Sequence, residues 1–165
     1  MRSLLFGHLV YLYTPLGILA CLLGILKGGD WVWVGMGIFG FNIVMDTLTS
    51  AFHTRGAATN KAGEPVGSGP LLNLMMYFQL VSFVALQLAL AWRVYQYVAG
   101  VPIETMTWNG YEYENGITGL GLIIATIGAG MHQGLGIMFG HELAHTKGFG
   151  FLISRMMMAL SGTAH

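Results

Sequence analysis

Charge is scarce in this sequence. Of its 165 residues only 8% are charged, seven Lys+Arg against seven Asp+Glu, where a soluble domain carries about a quarter. A surface that poor in charge excludes an ordinary water-soluble domain. The zero net charge excludes the basic face that nucleic-acid binding needs. Cysteine is nearly absent: the single Cys21 sits in an apolar run, which excludes a disulfide framework and a cysteine metal site. A cleavable signal peptide is not expected either, because no small-residue cleavage site follows the apolar run after Arg2. There is no internal repeat and no low-complexity tract.

What is abundant is apolar surface. Hydrophobic residues make up 55% of the chain and the mean hydropathy is +0.64. Glycine, at 25 residues, is about twice its usual ~7% share, which in membrane helices allows close packing. Four apolar runs, 4–25, 31–48, 71–92 and 117–139, are long enough to be read as transmembrane helices. Trp31 and Trp33 open the second, and Trp92, Arg93 and Tyr95 close the third, as interfacial anchors do. Lys27-Gly28-Gly29-Asp30 makes a short turn between the first two. A partial fifth helix is expected over 149–160. The sequence therefore predicts an all-α integral membrane protein of four transmembrane helices plus a partial fifth helix.

Loop charges set its direction. With the N-terminus in the cytoplasm, Arg2, Arg55, Lys61, Lys147 and Arg155 lie inside, against Lys27 and Arg93 outside. The positive-inside rule favours that orientation. The outer loop after Arg93 also carries Glu104, Glu112 and Glu114, and 57–70 reads as a cytoplasmic loop.

The chemistry concentrates where the fourth run ends, in Gly140-His141-Glu142-Leu143-Ala144-His145. Residues four apart share one helix face, so His141 and His145 can hold one metal ion between them. Ionisable groups near membrane depth are costly and are read as functional by default. The plain alternative is a pair of solvated histidines at a helix end. Two metal chemistries use this string. In a zinc protease both histidines bind Zn²⁺ and Glu142 is the general base. In a non-haem iron site the pair is the first of several histidine boxes.

The surrounding residues resemble a known family. Gly134-Leu135-Gly136 followed by Gly140-His141-Glu142-Leu143-Ala144-His145-Thr146-Lys147 is similar to the first histidine box of the membrane alkane hydroxylases. The xylene-type monooxygenases and, more distantly, the fatty-acid desaturases share that architecture. Segment 71–90, the acid-bearing end of the second run at Asp46, and helix 155–165 also fall where the family would have them. Ala144 stands where a glycine is common, and Met138 or Phe139 where an asparagine is often found. The resemblance implies O₂-dependent hydroxylation of an alkane or alkyl side chain at a histidine-rich di-iron site. It implies a rubredoxin- or ferredoxin-type electron donor on the cytoplasmic face and an apolar substrate drawn from the bilayer, among membrane lipid, with no nucleic acid involved. The setting it implies is a bacterial inner membrane with the metal site on the cytoplasmic side. Only His141 and His145 match ligand positions; His165 is not counted as one. The later boxes of the family would follow His165, so 1–165 is expected to be the N-terminal part of a single membrane di-iron domain. A fatty-acid desaturase-like enzyme, an intramembrane zinc protease and a metal-free membrane scaffold stay open beside it.

Other residues divide by helical phase. Asp46, on one face with Asn42, is a candidate acceptor for a metal-bound imidazole, as is Glu142, since metal histidines nearly always have such a partner. His132 falls about 180° from His141 and is expected to pack or hydrogen-bond. His8 reads as an interfacial side chain, His53 as solvated, and the eleven methionines as apolar packing. With His141 at zero, Gly130 lies at about −20°, Gly134 at about +20°, Ile127 at about +40° and Met138 at about +60°. Gly130, Gly134 and Met138 are thus candidates for a channel along which a linear substrate reaches the metal. The rival expectation is that Gly130-x-x-x-Gly134 packs against another helix.

Overall fold

The computed structural model describes residues 2–50, 69–145 and 147–162, with side chains throughout except at 2–13, 46, 49, 50, 69–72, 135 and 142. The chain runs α1 (Arg2–Lys27), a 3-10 helix (Gly29–Trp33), α2 (Val34–Ser50), α3 (Gly69–Val98), β1 (Glu104–Trp108), β2 (Tyr111–Asn115), α4 (Gly119–Ala144) and α5 (Phe149–Leu160). The fold is mostly helical, and α4 is its hub, packing on α1, α2, α3 and α5.

Two helical stretches, Asn73–Val98 and Gly119–His141, are long and apolar enough to cross a membrane. Thr14–Lys27, Gly29–Met45 and Phe149–Leu160 are shorter apolar helices among the described residues. The interior is made by Ile18, Cys21 and Ile25 of α1, Phe83 and Leu86 of α3, Ala125, Ala129 and Leu143 of α4, and Met157 of α5. The outward faces are apolar too: Leu16 and Leu23, Phe41 and Leu48, Val81 and Leu88, Leu120 and Ile123 are all exposed. A soluble monomer rarely leaves an apolar patch that wide in water, whereas lipid accepts it.

Close packing is set by glycines. Gly35 of α2 and Gly128 of α4 meet backbone to backbone, a Cβ on Gly128 falling 3.4 Å from the Gly35 Cα. Cys21 fills the third side of that junction. The reversal after α1 runs through Gly28 (φ 79°) and Gly29 (φ 53°), in the left-handed region that glycine enters without penalty. The Gly28 N–H donates to Gly24 O, and the Trp31 N–H to Gly28 O. That i→i+3 bond starts a 3-10 turn, so the second apolar run opens at Gly29 as 3-10 and becomes α-helical only at Val34.

The all-α expectation needs one correction. The segment read as an outer loop carries an antiparallel hairpin in which Glu104 pairs with Asn115 and Trp108 with Tyr111. Its turn is Asn109-Gly110, with φ 49° and 83°. Positive φ at both central residues is the two-residue turn that follows the twist of paired strands.

Arg93 is a second correction. Counted above as a charge of the outer loop, it is 1% exposed. Its Nε donates to Ile25 O (2.7 Å) and its Nη2 to Leu26 O (2.9 Å), two carbonyls left over at the end of α1. Its Nη1 donates to Gln96 Oε1, Glu114 O and Gly116 O. Gln96 in turn donates to Asn115 Oδ1. One guanidinium thus ties α1, α3 and the hairpin together.

Candidate metal centre

The last turn of α4 is fixed from behind. A Cβ on Gly140 would come within 2.9 Å of Met158 Cγ, and the Ser154 hydroxyl donates to Gly140 O. Leu143 is buried at this contact. α5 can press there because Gly150, Ile153, Ser154 and Met157, spaced at helical period, form its buried face. The opposite face of the same turn carries His141 and His145, both exposed.

The two rings stand at 87° with centroids 5.0 Å apart, and their Nε2 atoms are 3.4 Å from one another. At a metal–imidazole bond of about 2.1 Å, that separation subtends about 108° at an ion between them, a tetrahedral angle. The separation matches two ligands of one metal, and equally one Nε2–H donating to the other ring's Nε2. The helix C-terminus adds a partial negative charge beside them, which favours a cation. Among the described residues the donors at this point are these two. Among the described residues no group of three or more His, Cys, Asp and Glu side chains gathers around a point that could hold a metal. The pair fits one corner of a histidine-rich centre, and a di-iron centre would need donors beyond the described residues. The side chains of Asp46 and Glu142, and all of His53 and His165, lie outside the described residues, as do residues 57–68 of the expected cytoplasmic loop and the His8 side chain.

The helix above the pair has two distinct sides. Gly128, His132, Gly136 and Gly140 fall between about 140° and about 260° from His141, and all four are buried. A Cβ on Gly136 would meet Phe83 of α3 at 2.8 Å. Gly130 and Gly134, close to His141 in the same frame, are exposed and have nothing described within 4 Å of an added Cβ. Ile123, Ile127, Ile137 and Met138 flank them and are exposed as well. In this part of α4 Gly128, Gly136 and Gly140 thus pack against described neighbours, while Gly130 and Gly134 line an open stripe that ends at the histidines.

His132 is 1% exposed, and its Nδ1–H donates to Gly128 O at 2.8 Å. Arg93, absent from the sequence-derived site residues, donates to five acceptors; its signal was an arginine in an apolar helix with Gln96 one turn on. Deeper polar groups also escaped that reading. Gln87 donates to Gln133 Oε1 (2.9 Å) between α3 and α4, and Gln79 Oε1 and Gln133 Nε2 are buried without a partner.

None of the family models, curated proteins and solved structures compared with the chain matches it.

Proposed function

We propose that the chain is the first-box part of a multi-pass membrane monooxygenase that hydroxylates alkanes or alkyl side chains. In this reading α1 to α4 are four transmembrane helices of a bacterial inner membrane, α5 lies at the cytoplasmic interface, and His141 and His145 hold iron. The observation that carries it is the outward histidine pair, with Nε2 atoms 3.4 Å apart, at the foot of the open stripe of Gly130 and Gly134. The similarity of 134–147 to the first histidine box of membrane alkane hydroxylases supports the same reading.

When bound, a di-iron centre would supply activation of O₂, with one oxygen atom inserted into a C–H bond and the other leaving as water on two electrons from a rubredoxin- or ferredoxin-type donor and two protons from solvent. The chain's own residues position the reactants. His141 and His145 offer their Nε2 lone pairs from a turn that Ser154 and Met158 hold rigid. Gly130 and Gly134 leave room for a linear apolar molecule to lie along α4, with Ile127 and Met138 as its walls. The apolar stripe keeps water from the reacting carbon, as a ligand channel requires.

Metal analysis tests the reading. The protein purified from iron-replete membranes should carry iron, and His141→Ala or His145→Ala should lower iron affinity by more than the roughly 10–100-fold that loss of a supporting partner causes. Stoichiometric zinc with no iron would overturn the hydroxylase reading in favour of the protease.

A further inference from the structure

The hairpin between α3 and α4 holds a reactive step that the metal reading does not use. The sequence contains two Asn-Gly steps, Asn109-Gly110 and Asn115-Gly116. In such a step the backbone nitrogen of the glycine can attack the side-chain amide carbon of the asparagine before it, because no Cβ on the glycine hinders the approach. The bond to the side-chain nitrogen then breaks, ammonia leaves, and a succinimide ring remains. Water opens that ring at either carbonyl, giving aspartate or isoaspartate. An asparagine and a water go in, an acid and an ammonia come out, and no oxidant, reductant or metal takes part.

Local chemistry is alike at the two steps, and the fold makes them unequal. Asn109 and Gly110 are the central residues of the hairpin turn, with φ 49° and 83°, and both are exposed. Asn109 is the one non-glycine residue with positive φ among the described residues, in a region that only glycine enters without penalty. A Cβ on Gly110 would meet nothing described within 4 Å, so the space around the attacking nitrogen is open. The rotation that brings this nitrogen onto the Asn109 amide carbon disturbs the turn and its closing pair, Trp108 with Tyr111, whose side chains are 70% and 77% exposed. The second step is clamped. Asn115 Oδ1 accepts from Gln96 Nε2 at 2.7 Å, and Gly116 O accepts from Arg93 Nη1 at 2.8 Å. Gly116 is buried, and a Cβ there would fall 2.6 Å from Val101 O. Asn115 is also paired with Glu104 in the ladder. The same rotation at Asn115 has to break these contacts together.

We propose that Asn109, in the exposed turn of the hairpin, is a site of spontaneous deamidation, and that Asn115 is held unreactive by the clamp of Gln96 and Arg93. The aspartyl product keeps the hairpin, since Asp-Gly suits the same turn, and adds a carboxylate to those of Glu104, Glu112 and Glu114. The isoaspartyl product routes the main chain through the side-chain carbon and lengthens the turn by one atom. Loop length fixes the register of a hairpin, so this product frays the pairs Trp108–Tyr111 and Met106–Tyr113 from the tip. Fraying stops at Glu104–Asn115, the end that Arg93 and Gln96 hold. The reaction uses no histidine and no metal, so its test is separate from that of the proposed activity.

The test incubates the purified chain, in lipid nanodiscs, in mildly alkaline H₂¹⁸O and digests it afterwards in ordinary water. Heavy oxygen in a new carboxyl group then marks a ring opened during the incubation, and fragment-ion mass spectrometry assigns it to Asn109 or Asn115. Label should enter at Asn109, in both aspartyl and isoaspartyl forms, at least about tenfold faster than at Asn115, whose reaction waits on opening a hydrogen-bonded segment. In the chain denatured by urea and detergent the two steps should react at similar rates. Gln96→Leu removes one arm of the clamp and should speed the reaction at Asn115 while leaving Asn109 unchanged. If that variant fails to fold, the folded-to-denatured rate ratio of each step in the wild type carries the test. Equal rates at the two steps in the folded protein, or an Asn109 that folding slows as much as it slows Asn115, would each overturn the proposal.

Discussion

Replacing Arg93 by methionine keeps length and apolar bulk and removes every donor. Five acceptors lose a partner. The bonds to Leu26 O and Glu114 O are only partly buried, so water or headgroups can replace the guanidinium there. Those to Ile25 O, Gly116 O and Gln96 Oε1 are buried, and each orphaned group costs about 1–3 kcal/mol. Some relaxation is expected, which puts the loss toward the lower end of that sum, at about 3–5 kcal/mol for the three groups. For a chain of this size 1 kcal/mol moves Tm by roughly 2–4 °C, so Arg93→Met should melt about 6–20 °C lower in nanodiscs. Arg93→Lys keeps the charge but reaches one or two acceptors instead of a fork, and should fall between. Because the same side chain holds the hairpin, protease nicking near Asn109 should also accelerate in Arg93→Met. A melting point within about 3 °C of the wild type would refute the reasoning, since three buried acceptors cannot lose their donor at under ~1 kcal/mol in total.

The remaining expectations concern the reversal after α1, the channel and the orientation. Gly28→Ala should lose more stability than Gly100→Ala, because both have positive φ but only at Gly28 would the Cβ meet a side chain, Arg93 Nη2 at 2.5 Å; the backbone share is ~1–3 kcal/mol in each, and equal melting points would exclude the contact. In the full-length enzyme, Gly134→Leu should fold normally, as its side chain meets nothing described within 4 Å of its Cβ, and should lower turnover of long alkanes at least about tenfold, or ~1.4 kcal/mol, while short ones still react; product profiling checks this, and equal loss at all lengths would remove the channel. A reporter fused after Lys147 should be cytoplasmic and one in the Asn109-Gly110 turn on the other side, because α4 separates them. Both on one side would mean that α4 does not cross.

The helices were legible because apolar runs broken by glycine and charge have few other solutions in lipid. The run 149–160 is helix α5 to the residue, and the reversal falls in Lys27-Gly28-Gly29-Asp30 as its composition requires. The hairpin had a signal, Asn109-Gly110 between segments rich in β-branched and aromatic residues, but a search for long apolar runs passes over 104–115 because it is polar. Arg93 was visible only as a charge. Four of its five acceptors are backbone carbonyls, which have no signature in sequence, and they come from positions 67 and 68 residues earlier and 21 and 23 later. No local pattern can announce such a partnership.

The glycines of α4 show the limit most sharply. Gly128, Gly130, Gly134, Gly136 and Gly140 look alike in sequence, and a GxxxG rule selects both Gly130 with Gly134 and Gly136 with Gly140 for packing, although only the second pair meets a described neighbour. Helical phase alone divides the five into two sides, near His141 and opposite it, but says nothing of which side meets a neighbour. That is decided by Gly35, Phe83 and Met158, which α2, α3 and α5 bring to the side of His132. The consequence is a polarity across one helix. Its packed side buries a histidine with a fixed proton and a spare lone pair, and its open side leaves two histidines free to share an ion. Turning α4 by half a revolution would bury the pair under α5 and expose His132, so the small residues at 128, 136 and 140 determine which histidines are available for chemistry.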